Sequence, residues 1–462
     1  MRLSARGAPV PLRCALHRTS GEVIEGQIFD LDPFGCRIGL PRDLQFVADE
    51  RVKLDLWLTH ARPASVEGMV RHTETALGPG FLSAQMAAGI GFLEGQWDEQ
   101  ARIREFVFPR MNPEIRLYEP PDYEGLVSLL GRAEYFDYFG KRDHQEFIRE
   151  SAETYRELPH LYPTLARTTI LNDGSKVIGT HSFYRLNKHT WQLHQLVVDP
   201  SISEYLQKVP TKLILKSSLE YLCADPAISY FVTYFHDHAA IARAYFEARQ
   251  SHYNARDYAF IPFRMLLFED LEKLPLHPEE GSCAEASAEE VPLLSEYLAS
   301  IVPAIEFDAL DFGDPLLRDF DSWWKAKPLR RERRVLVKRS RKGEILCFAL
   351  ANIAPKGLNL IGSLDNFRIF DVPWCRTETA EARRVLVHYV LRFFGQQKRK
   401  RIYFEAEEGT SSDFGFLPVM DLGKNWRLIA HRNCFMSALQ FFLARFGKLE
   451  ERLGRAATPL RS

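Results

Sequence analysis

Six short apolar runs, each cut off by turn residues, fill the first hundred residues, and that spacing confines the start of the chain to a small all-β unit. The runs are Val10–Leu16, Glu22–Phe29, Cys36–Leu40, Val52–Leu58, Ser65–His72 and, after a Gly-Pro-Gly turn at 78–80, Ala88–Leu93. The fourth alternates Val52, Leu54, Leu56 and Leu58, the period of a strand with one buried face. Six such strands suggest a barrel, because closure removes exposed sheet edges. Trp97–Phe108 carries Ile103, Phe106 and Val107 at helical spacing and stops before Pro109, so a helix is expected to complete a unit over 1–109.

The barrel accounts for less than a quarter of the 462 residues, so the rest must form further domains. Lys plus Arg total 60 and Asp plus Glu 61, so the chain as a whole is not an electrostatic binder of nucleic acid or membrane. The seven cysteines are dispersed and form no C-x-x-C pair, which argues against a disulfide framework and a structural zinc site. No apolar run is long enough to span a membrane, and none near the N-terminus reads as a signal core. The dispersed cysteines point to a reducing cytoplasm.

Two features of the first thirty-five residues carry chemistry. Arg2 and Arg6 place two guanidinium forks near the terminus, and such forks suit phosphate and the acceptor edge of guanine. Asp30-Leu31-Asp32-Pro33-Phe34-Gly35 is an acidic turn entered from Ile28-Phe29. Together they resemble the PilZ domain, the bacterial receptor module for cyclic di-GMP, with its R-x-x-x-R and later [D/N]-x-S-x-x-G. Ala88-Gly89-Ile90-Gly91-Phe92 also looks like that family's final strand. The resemblance implies that Arg2 and Arg6 clamp the nucleotide, that Asp30 accepts from the base, and that Asp32 and Gly35 complete the site. Asp32 stands where the family has Ser. A hydroxyl donates to phosphate, whereas two like charges about 4 Å apart at an effective dielectric of about 20 cost about 4 kcal/mol, unless Asp32 pairs with Arg37 or Arg2.

After a Pro-rich linker at 110–121 the pattern becomes mixed. Ile115–Tyr118 reads as a strand and Tyr123–Arg132 as a helix. Thr164–Leu171 and Val177–Tyr184 read as a hairpin around Asn172-Asp173-Gly174, since Asp-Gly supplies the positive φ such turns need. Trp191–Val198 is a strand, Lys212–Cys223 a helix, Tyr230–Tyr234 a strand, Ala239–Ala248 a helix, and Tyr258–Phe268 a pair of short strands. This order resembles the GNAT acyltransferase fold over 114–272. Leu193–Pro200 looks like that family's fourth strand with its bulge. The resemblance implies that backbone amides at Leu196, Val197 and Val198 hold the pantetheine arm of an acyl-CoA, and that Tyr245 protonates the departing thiolate. The family's phosphate-binding glycines are missing after Pro200, where Gln207 is followed by Pro210, which removes a donor. His194 and His236 fall near the expected cleft and suit a general base. His236-Asp237-His238 lacks the spacing of a metal motif, so no metal is expected.

A polar, acidic stretch at 274–290 reads as a loop, and a third unit over 284–434 follows. It runs through a helix at Val291–Ile301, strands at Arg334–Lys338, Ile345–Ile353 and Leu358–Ser363, a helix at Ala380–Phe394, and strands at Arg401–Glu405, Phe414–Leu417 and Trp426–Ile429. This repeats the order of 164–234, as a diverged second GNAT-like copy would. Residues 435–462 read as a terminal helix and tail. The basic runs at 330–334 and 398–401 read as solvated faces, or as a site for an anionic partner if they meet in space.

The sequence thus describes a multidomain protein: an N-terminal all-β PilZ-like barrel and two α+β, mixed-sheet GNAT-like units. The expected function is a cyclic di-GMP-responsive effector controlling an acyl- or aminoacyl-transferase, an N-acyltransferase with an unidentified donor and acceptor. The alternative is a non-catalytic adaptor whose degenerate module binds a protein partner. Nucleic acid is not an expected ligand.

Overall fold

The computed structural model describes residues 3–4 and most of 12–435. Outside the described residues lie 1–2, 5–11, 77–84, 94–98, 111–114, 118–122, 136–147, 155–164, 203–213, 238–242, 321–330, 356–363, 373–378, 407–416, 436–462 and shorter gaps.

The N-terminal sheet has seven strands: β1 (Leu3–Ser4), β2 (Arg13–Arg18), β3 (Val23–Asp32), β4 (Gly35–Pro41), β5 (Arg51–Trp57), β6 (Ala64–Ala76) and β7 (Gln85–Phe92). All pairings are antiparallel, in the order β1-β3-β2-β5-β6-β7-β4, and β3 also pairs with β4. The last pairing closes six strands into a barrel, with β1 added alongside β3. Leu16, Ile28, Ile38, Leu54, Leu56 and Val66 point inward and are fully buried, the alternate residues of their strands facing out. Ile103, Phe106 and Val107 are helical and buried in the same core, so the closing helix packs as its spacing requires.

The rest of the described chain is organised on one twelve-stranded mixed sheet. Its first half contains β8 (Ile115–Leu117), β9 (Ala166–Asp173), β10 (Lys176–Arg185), β11 (Thr190–Val198) and β12 (Tyr230–His236). The second contains β14 (Cys283–Glu285), β15 (Glu332–Arg339), β16 (Ile345–Ile353), β17 (Asn366–Asp371) and β18 (Arg401–Ala406). The halves repeat one pattern, a run of antiparallel pairs ending in a parallel pair, β11 with β12 and β17 with β18. The two remaining strands are exchanged. β13 (Tyr258–Glu269), which follows the first half in sequence, pairs with β18 of the second. β19 (Val419–His431), which follows the second half, pairs with β12 of the first. β13 and β19 then pair with each other and weld the sheet into the order β14-β15-β16-β17-β18-β13-β19-β12-β11-β10-β9-β8.

Several expected elements are different in the structure. Tyr258–Phe268 is one continuous strand rather than two. The strand continues through Pro262 because β18 pairs only from Arg264 onward, so no ladder donor is needed on that side of Pro262. The stretch 283–285, expected as loop, is edge strand β14, paired with β15. Leu358–Ser363 lies outside the described residues, and the strand paired with β16 is Asn366–Asp371.

Among the described residues the sheet is flanked by the helices α1 (Tyr123–Arg132), α2 (Glu290–Ile301), α3 (Ala304–Ala309) and α4 (Thr379–Gln396). Leu126, Leu129 and Leu130 of α1 join Leu294 and Leu298 of α2 and Ile305 of α3 in one apolar core that also takes in Val232, Val337, Phe348 and Ile429 from both halves. α4 buries Val385, Leu386, Val390, Leu391 and Phe394 in a separate core with Cys347, Phe367 and Phe404. Each such side chain contributes about 1.5–3 kcal/mol by leaving water. Among the described residues no helix is long and apolar enough to cross a membrane.

Candidate functional sites at the barrel turn and the two strand divergences

In the barrel, the acidic turn is a tight hairpin. Asp32 pairs with Gly35 across the loop between β3 and β4, and Asp30 pairs with Arg37. The Asp30 carboxylate lies 3.8 Å from the Arg37 guanidinium, which also holds Glu74. Gly35 has a packing reason to be glycine: a Cβ there would collide with the carbonyl oxygen of Ile90 on β7. Leu3 and Ser4 of β1 lie opposite Leu31 and Asp30, so the terminal strand runs along the acidic turn. Arg2 and Arg6 themselves lie outside the described residues.

In the first half, β11 and β12 run parallel from Thr190–Tyr230 to Leu193–Thr233 and then diverge. Just beyond, β11 bulges. Thr180 of β10 faces Val197 and Ser182 faces His194, so two residues of β11, Gln195 and Leu196, oppose the single residue His181 of β10. The bulge falls within the stretch where one was expected. Leu196 is exposed, Val197 buried and Val198 half-buried. The end of the strand is pinned by Asp199, which is fully buried and bound by Arg132 (2.9 Å) and Lys176 (2.8 Å). Burial alone would raise its pKa, but hydrogen bonds from Lys176, Ser201 and Arg132 outweigh it and hold the carboxyl well below the usual range.

His194 is buried with its ring beside Tyr135 and Tyr184, and its Nε2 has no hydrogen-bond partner among the described residues. Burial, helped by neighbouring His181, pulls its pKa down to about 3. The imidazole is therefore neutral at pH 7 but weakly basic in this environment, whereas an efficient base has a pKa near the working pH. His236 sits at the end of β12 with Nε2 donating to the Leu422 carbonyl at 2.9 Å. That bond fixes the tautomer of the neutral ring and makes Nδ1 the acceptor. On β11, His194 lies two residues past Gln192, and on β12, Tyr234 lies two residues past its partner Val232, so the diverging strands carry both on one face. Tyr245 lies outside the described residues.

In the second half β17 and β18 pair only at Asn366–Tyr403 and Phe367–Phe404 before diverging. No bulge occurs in β17, whose register with β16 is regular from Asn352–Asn366 to Cys347–Asp371. A polar network bridges this divergence. Asn366 donates to Glu405 at 2.7 Å and Asn352 donates to Asn366 at 2.7 Å. Arg427 of β19 binds both Glu405 and Glu306 of α3, and Arg368 binds Glu306 at 2.6 Å. Arg427, Glu306 and Glu405 are almost wholly buried. Burial opposes ionisation of Glu306, but Arg368 and Arg427 win and lower its pKa.

A small cavity of about 30 Å³ is lined by residues of both halves, Asn187, Tyr234, Arg331, Arg333, Asn352, Asn366, Arg368 and Glu405 among others. Tyr234 has its pKa pushed up to about 12 by burial and by the Glu405 charge. The basic run at 330–334 was read as a solvated face or, if it met the run at 398–401, as a site for an anionic partner; Arg331 and Arg333 of it are buried here. Their separation by two residues is the one signal in the sequence, since it places both on one side of an extended strand.

No protein-family model matches the sequence, and no curated protein matches it. Solved structures are similar at two ends of the chain. A PilZ domain with c-di-GMP of YcgR from Escherichia coli is 13% identical, with 24% of this chain and 90% of that chain covered and a TM-score of 0.22. A tandem GNAT protein from the clavulanic acid biosynthesis pathway is 12% identical, with 69% and 99% covered and a TM-score of 0.38. A GCN5-related glucosamine N-acetyltransferase region of a fungal multi-domain GH3 beta-N-acetylglucosaminidase is 12% identical over 69% of this chain, which spans 38% of that one, with a TM-score of 0.41. The chain is similar to PilZ domains at its start and to GNAT acetyltransferases over the rest.

Proposed function

We propose that the protein is a cyclic di-GMP-responsive effector in which the barrel, with Arg2, Arg6 and Asp30 as nucleotide ligands, regulates acyl or aminoacyl transfer in the first half of the long sheet. The observation that carries this reading is the bulged, diverging β11. Past Leu193 the strand has no partner on the β12 side among the described residues, so that edge of Leu196–Val198 is open to a pantetheine arm. Tyr245 serves as the acid for the leaving thiolate, and His236, with Nδ1 as acceptor, is the better-suited base of the two histidines. The second half is the scaffold copy, because its divergence is filled by side chains that bind one another.

One observation favours the adaptor reading: the histidine nearest the gap, His194, is buried with its pKa near 3 and is poorly matched to proton transfer at pH 7. Two measurements separate the readings. Calorimetric titration with cyclic di-GMP should give saturable heat with the intact protein and none with Arg2→Ala or Arg6→Ala. Acyl-CoA turnover should collapse in Tyr245→Phe and in Leu196→Pro, which deletes an amide donor. Absence of heat with the intact protein sinks the sensor, and absence of turnover with any acyl-CoA or aminoacyl-tRNA sinks the transferase.

A further inference from the structure

We propose that Arg264 and Asp421 are positioning residues for His236: they hold a bulge in β19 whose Leu422 carbonyl keeps the His236 proton on Nε2 and leaves Nδ1 as the accepting nitrogen. The proposal rests on the reading of His236 as the base of the transfer, and it names the residues that set that base up. Both sit on the exchanged strands, Arg264 on β13 and Asp421 on β19.

β19 is irregular where it passes His236. Arg264 of β13 faces Lys424 and Leu266 faces Asp421, so Leu422 and Gly423 of β19 oppose the single residue Met265. Gly423 has a φ of +82°, the left-handed conformation that glycine adopts without strain. A bulge leaves a residue unpaired in the ladder. Leu422 has no opposite residue in the register with β12 or β13, and its carbonyl accepts from His236 Nε2 at 2.9 Å. A carbonyl can only accept, so a neutral ring bound in this way carries its proton on Nε2. The backbone holds the histidine in place for this contact: His236 lies opposite Asn425, and the Asp237 amide donates to the Lys424 carbonyl at 3.1 Å.

Asp421 fixes the shape of the bulge. Its Oδ1 accepts from the Gly423 amide at 2.8 Å, and its Oδ2 accepts from Arg264 Nε at 2.7 Å and from Arg264 Nη2. One oxygen thus serves the guanidinium, and the other is left for the turn. Two guanidinium nitrogens on one oxygen make a directed grip that a lysine ammonium reproduces only in part. Asn425 closes the other end, with Nδ2 donating to the Gly423 carbonyl at 3.1 Å. The Arg264 and Asp421 side chains are 41% and 36% exposed, and pairs so exposed add little to stability. Their removal should therefore leave the fold intact while it frees the bulge, which separates a positioning role from a structural one.

The test reads the ring directly, by nitrogen NMR on the full-length protein labelled with ¹⁵N-histidine, with His236 assigned by its loss in His236→Gln. The wild type should show one tautomer, protonated on Nε2 and bare on Nδ1. Arg264→Gln and Gly423→Ala, each with its fold checked by circular dichroism, should show averaged ring shifts, with the Nδ1–H form raised about threefold or more once the acceptor that excludes it has moved. Arg264→Lys should restore part of the wild-type pattern. In the same variants kcat for acyl transfer should fall about tenfold with KM for acyl-CoA nearly unchanged, as when a reacting group is misplaced and substrate binding is not. A wild-type ring protonated on Nδ1, or ring shifts unchanged in folded Arg264→Gln, overturns the proposal whatever the turnover. Changed shifts with turnover absent from the wild type, or unaffected in the variants, uphold the positioning and sink the reading of His236 as the base. If Gly423→Ala does not fold, the exposed pair still decides through Arg264→Gln.

Discussion

The two halves of the long sheet reach the same backbone arrangement and use it in opposite ways. Both end their antiparallel runs in a short parallel pair that diverges. In the first, β11 bulges and places an exposed leucine and a neutral, buried histidine where the strands diverge. In the second, the strand stays regular and the gap is crossed by a buried network running through Asn352, Asn366, Glu405, Arg427, Glu306 and Arg368. Diverging strands create an opening, and side-chain chemistry decides whether it is kept for a ligand or closed by the protein. A buried ion network is costly to desolvate and is stable only when complete.

The comparison can be broken at its strongest point first. Arg427→Met should destabilise the protein by about 3–5 kcal/mol, because it leaves Glu306 and Glu405 buried without their shared cation. Urea unfolding measures this, and a change below about 1 kcal/mol would contradict the scaffold role of the second half. Asn366→Leu should cost about 1–3 kcal/mol by stranding the Asn352 donor and removing one of the donors to the Glu405 carboxylate. The companion change in the first half, His194→Leu, should be neutral or stabilising, since it removes a buried acceptor that lacks a partner.

Acid separates the halves as well. His181 and His194 have folded pKa values lowered from 6.5 to about 3, mainly by burial, so below pH 6.5 the unfolded chain takes up protons that the folded protein refuses. Stability is therefore full above pH 6.5 and falls as the pH drops towards 3, with a limiting slope of about 1.4 kcal/mol per unit for each ring. Glu306, whose pKa is lowered, gives up its contribution only below 4.5. Unfolding midpoints measured from pH 7 to 5 should fall in the wild type and fall less steeply in the His181→Asn, His194→Leu double variant. The smallest effect is expected at the bulge: Leu196→Ser should alter stability by less than about 0.5 kcal/mol, since Leu196 is already exposed. A larger loss would mean that the bulge is a packing feature and not an open edge.

Much of this was legible locally. Alternating apolar residues announced the barrel strands, and Val52, Leu54 and Leu56 are buried as the pattern requires. The Asp-Gly hairpin appeared as the β9–β10 pair, and α4 follows its Val385, Leu386 stripe. The bulge stood out in Leu193–Pro200 only through a resemblance, because a bulge leaves little trace in the residues that form it. Tyr234, Asn187 and Arg427 were missed. Each lies in a segment that reads as ordinary strand or turn, and each acquires its role from partners more than a hundred residues away, Ala309 for Asn187 and Glu306 for Arg427.

The sequence by itself determined where strands and helices form and which faces of them are apolar, because those depend on side-chain period over a few residues. Only the tertiary structure decided which strands became neighbours. β13 belongs to the first half by sequence and to the second by pairing, and β19 the reverse. A strand's edge offers the same N–H and C=O groups to any partner, so the residues of β13 and β19 specify a strand but not its place in the sheet. That exchange gives the two halves a common core, brings Arg331 and Arg333 of one beneath Asn187 and Tyr234 of the other, and makes the cavity between them possible.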